Sequence, residues 1–167
     1  MRGQFSKRKP RLWRRDAGQS LIEFAIAMPV LLLLLMGVIE MGRFAFISIL
    51  VGNAARAGAA FGAQNLANSV NVAGIQQAAD NDFQNNGQDV SLLNVAVTEP
   101  PVCGCDNSGA FTSAPCNGAT SGTCLAGHWV VTVSVNASGT FNSIFNYPGV
   151  PSSIAVSRTS TLRVAQN

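Results

Sequence analysis

Gly18-Gln19-Ser20-Leu21-Ile22-Glu23-Phe24-Ala25-Ile26-Ala27-Met28-Pro29-Val30-Leu31 opens an apolar run that passes through the leucines at 31–35 and reaches Leu50. Only Glu23, Glu40 and Arg43 place charges in it. The uncharged stretch, 24–39, spans about 24 Å at the rise of an α-helix. That falls short of the roughly 30 Å hydrocarbon core of a bilayer, and the flanking turns make up the difference. Glu40 and Arg43 stand three residues apart, so they can pair on one helix face near the outer interface. Pro29 removes one backbone hydrogen bond and is expected to kink or loosen the helix, which a membrane span tolerates. The rival reading is a cleaved secretory signal with its small residues around 54–60. The apolar run is longer than a signal core, and those small residues lie well past its densest part. A retained transmembrane helix is the better reading.

Charge is segregated along the 167 residues. Seven of the eleven Lys and Arg residues precede Asp16, whereas from Gln19 onward four basic side chains face seven acidic ones. A basic tail can bind nucleic acid or an import receptor. Directly before an apolar run it more simply holds the N-terminus in the cytosol. No later basic patch with interleaved aromatics occurs, which argues against nucleic-acid binding.

Gly18 followed by Glu23, between a basic leader and an apolar helix, resembles the processing site of type IV pilin-like proteins. The resemblance implies that a membrane prepilin peptidase cuts between Gly18 and Gln19, making Glu23 the fifth mature residue. Each part has a physical reason. Gly lets extended backbone enter a protease cleft closely, and the basic leader keeps that bond at the cytosolic face. A carboxylate inside an apolar helix is costly unless paired. The resemblance gives Glu23 such a partner, the free amine of a neighbouring subunit. Ser20 and Glu23 also form a capping-box pattern, which explains the Glu without any second chain. The two roles are compatible.

The wider tract, with Glu23-Phe24-Ala25, Pro29, Gly37-Val38-Ile39-Glu40-Met41-Gly42-Arg43 and Asn53-Ala54-Ala55-Arg56, resembles the TadE-like family. These are minor pseudopilins of the Tad (tight adherence, Flp pilus) system. The likeness is strong over 18–62 and weak beyond.

Past the bilayer the helical pattern continues. Phe44, Ile47, Val51, Ala54, Gly58 and Phe61 form one stripe, and Gly58/Gly62 and Ala55/Ala59 give small-residue spacing. The stripe can pack on partner helices or on the protein's own sheet. A second helix is expected over 72–83. Strands are expected at 90–98, at 129–135 with Trp129, Val131, Val133 and Val135 on one face, and more faintly at 154–164. Segments 99–127 and 138–153 read as loops from their Gly, Pro and Ser content.

Cys103, Cys105, Cys116 and Cys124 all fall within 99–127. An even count in a small extracytoplasmic segment favours disulfides. Three connectivities exist; a strained Cys103–Cys105 bridge is disfavoured, so both should cross to Cys116 and Cys124. Zinc is the sharper alternative, since His128 follows Cys124 by four residues, but no Cys-x-x-Cys knuckle accompanies it. Neither a nucleophile motif nor a phosphate loop is present, and Asp80, Asp82 and Asp89 read as solvated turn and helix-end residues.

The expectation is therefore an α+β protein with no enzymatic activity, cofactor, metal or small-molecule substrate. It has a basic cytosolic leader (1–18), a transmembrane and membrane-proximal helix (19–63), and an extracytoplasmic domain (64–167) with a three- to four-stranded antiparallel sheet. Expected partners are a prepilin peptidase, other Tad pilins or pseudopilins, the inner-membrane assembly platform and the membrane itself. The expected location is the inner membrane, single-pass and N-terminus cytosolic, with the C-terminal domain periplasmic, extracellular or associated with the pilus. The alternative is a membrane-tethered binding domain that is never processed or assembled. There the leader stays on, and any good capping residue can replace Glu23.

Overall fold

The computed structural model describes residues 16–97, 101–116, 124–145, 149 and 151–165. Two compact units divide the chain, Met1–Ile39 and Glu40–Asn167. Helix α1 (Asp16–Ala63) runs uninterrupted through Pro29. In the first unit most of its apolar side chains are exposed: Leu21, Ile26 and Leu34 are 69%, 70% and 62% exposed. A continuous apolar surface of this extent is far larger than a soluble monomer carries. Among the described residues α1 is the one helix long and apolar enough to cross a membrane, and it fits a single-pass anchor.

The second unit is built on a long central strand. Five strands, β1 (Leu93–Val97), β2 (Val102–Asn107), β3 (Ala110–Ala114), β4 (His128–Asn142) and β5 (Ser153–Arg163), form one antiparallel sheet. One edge of β4 pairs with β5 along its length, from Thr132↔Arg163 to Asn142↔Ser153. Its other edge is shared, with β1 against 135–139 and β2 against 128–132. Strand β3 then adds to β2 as a hairpin.

Alternation along β4 decides the core. Val131, Val133, Val135, Ala137 and Phe141 are buried on one face. Thr132, Ser134 and Asn136 lie on the other, where Ser134 and Asn136 hydrogen-bond across to β5 hydroxyls. The stripe on α1 packs on this sheet. Val51, Ala54, Ala55 and Ala59 are fully buried, and a Cβ on Gly62 would stand 2.9 Å from Val133 and 3.0 Å from Ile75. Helix α3 (Val72–Asn85), capped by the Asn71 side chain on the Gly74 amide, adds Ile75, Ala79 and Phe83 to the same core. Full burial of each large apolar side chain stabilises by about 1.5–3 kcal/mol. Helix α2 (Leu66–Ser69), capped by Asn65, is a single turn between α1 and α3.

The structure departs from the sequence expectations in several places. The segment expected as a Cys-rich loop holds the β2–β3 hairpin, whose turn at Ser108 and Gly109 has positive φ at both positions and whose Gly109 amide is bound by Asp106. Strand β4 runs on to Asn142, into the stretch expected as a loop. Residues Val90–Leu92 form a 3-10 turn rather than the start of β1.

Candidate functional site

The N-terminal part of α1 carries the first group of candidate residues. Gly18 and Gln19 lie in the first described turn of α1, and among the described residues nothing stands within 4 Å of a Cβ built on Gly18. Ser20 lies inside the helix, past its start at Asp16. In the unprocessed chain, then, Ser20 and Glu23 do not form the helix-starting capping box, because the helix begins earlier. The exposed Glu23 carboxylate receives a long 3.4 Å contact from the Gln19 amide. Together with Ile26, Ala27, Val30 and Leu31, Glu23 lines a shallow apolar groove along one helix face.

Glu40 and Arg43 lie in the second unit and do pair, Nη1 to Oε2, at 2.8 Å. The pair is part of a larger knot. Glu40 is 9% exposed, and its other oxygen, Oε1, accepts from the Ser143 hydroxyl at 3.0 Å and from the backbone amides of Ile144 and Phe145 at 2.7 and 3.3 Å. An ionised carboxylate has lone pairs for all four donors, and such charge-assisted bonds are the stronger kind. The Arg43 guanidinium also sits 5.3 Å from the centre of the Phe141 ring, which meets Phe44 edge-on. Glu40 thereby ties the end of β4 to α1. Sequence reading found the pair with Arg43 and missed the three donors, which lie 103–105 residues away.

Two disulfides join Cys103 to Cys116 and Cys105 to Cys124. With these pairings no cysteine thiolate remains to hold zinc. His128 instead stands 3.9 Å from Asp106, whose carboxylate is bound more closely by Arg163 at 2.7 Å. Asp89 acts locally: the Ser91 backbone amide and hydroxyl hold its carboxyl below the ordinary range. Asp80 and Asp82 lie on α3, and Asp80 lines a hollow beside β1.

An exposed apolar helix that leads into a disulfide-bonded α+β unit fits a single-pass anchored protein with a small folded domain. Residues 18–60 match the family model described as TadE-like protein, the family whose likeness the sequence carries. The matched segment lies wholly within α1 and includes Gly18, Glu23, Glu40 and Arg43. It supports a role related to the Tad pilus, in association with the membrane and other pilus components. No curated protein matches the chain, and no solved structure does.

Proposed function

We propose that this chain is a minor pilin or pseudopilin of the Tad (Flp) pilus, a structural subunit that a prepilin peptidase matures between Gly18 and Gln19. The observation that carries this reading is the family match over 18–60, on a helix whose N-terminal apolar residues, Leu21 to Leu35, are exposed. The basic leader keeps the processing site cytosolic and the folded unit on the far side of the inner membrane. Among the described residues nothing stands within 4 Å of a Cβ built on Gly18. Unwinding the first turn is eased by the glycine, which is about 1 kcal/mol poorer than Ala in a helix.

After cleavage Gln19 carries a free amine at the membrane face. Glu23 lies on a surface that a neighbouring helix can cover, in a groove where Ala27 and Val30 leave room for close approach. A membrane carboxylate gains from an opposite charge. A neighbouring subunit's amine supplies that charge and fixes the axial step between subunits.

The test is Glu23→Gln, which keeps the side-chain shape and removes the charge. Insertion and cleavage should continue as in wild type, because neutralising a carboxylate eases insertion. Cross-linking to pilin partners should fall, since an unpaired amine in the assembled state costs several kcal/mol. Wild-type cross-linking and pilus number in that variant would remove the pairing role.

A further inference from the structure

Opposite flanks of the folded unit carry opposite, uncommitted charge at the same level of the sheet. On the β5 flank, the Arg158 side chain lies across Gly52, with its Cγ 3.7 Å from a Cβ built there, and donates to the Ser48 hydroxyl and to a carbonyl. It has no carboxylate partner among the described residues. Arg56 lies one helical turn beyond Gly52, on the same side of α1. It is exposed and has no ion-pair partner among the described residues.

On the β1 flank, Gln76 of α3 donates to the Val95 carbonyl, and Asp80 stands one turn further along the same helix face. Gln76, Asp80, Ser91 and Val95 help line a hollow of about 350 Å³, and Asp89 adjoins it through its bond to Ser91. Asp80 has no ion-pair partner among the described residues. The register of the sheet fixes the heights of the two flanks. Ala137 of β4 is opposite Val95 on one side and opposite Arg158 on the other. The arginine and the hollow are therefore level across the sheet.

We infer that the basic β5 flank of one copy docks on the acidic hollow of a second copy of this chain, with Arg158 seated against Asp80. The two patches differ and lie on opposite sides of the unit, so the contact is head-to-tail and repeats in an open row. It is made by side chains, because Gln76 already occupies the outward Val95 carbonyl at the β1 edge. The argument rests on the charges of the folded unit and holds whether or not the leader is removed.

Two differently tagged full-length copies, co-expressed and extracted in mild detergent, test it by co-purification. Wild-type copies should associate, and raised salt should weaken the association, as for exposed charge pairs. Asp80→Arg alone and Arg158→Glu alone should each abolish it. The doubly exchanged chain should restore it. Arg56→Glu, which breaks no hydrogen bond or ion pair among the described residues, should weaken it without changing the melting temperature. No association of wild-type copies would overturn the inference. So would association that survives both single reversals, since the apolar helix would then suffice. Scoring leader removal in the same cells keeps the two readings apart: uncleaved chains that still obey the charge swap refute the pilin assignment and leave this contact standing.

Discussion

Glu40 joins two parts of the second unit that lie more than a hundred residues apart in sequence, at separations of 103–105. It stands on α1, takes a guanidinium three residues away, and takes two backbone amides and a hydroxyl from the end of β4. Losing the carboxylate strands two backbone amides, while the Ser143 hydroxyl keeps the Phe145 carbonyl as an acceptor at 2.7 Å; losing Arg43 leaves the carboxylate with three partners. Unmet buried donors cost more than an exposed ion pair returns. Glu40→Ala should therefore lower the melting temperature of the detergent-extracted chain clearly more than Arg43→Ala, with Glu40→Gln in between. Protease should also cut the chain near 143–145 sooner in Glu40→Ala. Equal effects of the two alanine changes would contradict the knot described above. The sequence announced the Glu40–Arg43 spacing because that contact is local. Nothing local joins residue 40 to residue 143, so the larger part of this site was invisible until the chain was folded.

At the scale of elements, periodicity was readable where one face is buried and unreadable where neither is. Strand β4 alternates cleanly because Val131, Val133 and Val135 face the helices while Thr132, Ser134 and Asn136 face outward. Helix α3 showed its buried edge through Ile75, Ala79 and Phe83. The β2–β3 hairpin gave no such signal. Strand β3 is exposed along nearly its whole length, and β2 contains Gly104, Cys105 and Asp106. It is held by its ladder to β4 and by two disulfides rather than by an apolar face. Each such bridge typically contributes about 3 kcal/mol by constraining the unfolded chain.

The small residues of α1 divide into two kinds. Gly62 is packed against Val133 and Ile75, whereas Gly42 has nothing among the described residues within 4 Å of its Cβ position. Gly62→Leu should destabilise the unit by at least the 1–3 kcal/mol typical of overpacking. Gly42→Leu should leave unfolding unchanged or raise it slightly, because Leu is the better helix former. Thermal unfolding of the two variants side by side checks this, and equal losses would show that α1 does not pack on the sheet through its glycine face.

For the whole molecule, the division of labour follows the chain. The segment 18–39 carries a largely exposed apolar surface, and the unit from Glu40 onward carries a sealed core and two disulfides. The anchor and the α+β class were legible from composition and order alone, since a long apolar run and a switch from helical to alternating pattern need no tertiary information. The fifth strand and the sharing of β4 by β1 and β2 were not, because strand partners are chosen by long-range burial. The central claim, that a peptidase matures this chain into a pilus subunit, is tested most directly by the intact mass of the protein extracted from membranes of cells with an active prepilin peptidase. A chain beginning at Gln19, with the full-length species accumulating instead in a Gly18→Leu variant, is the predicted result. A chain that still begins at Met1 or Arg2 in those cells would contradict it.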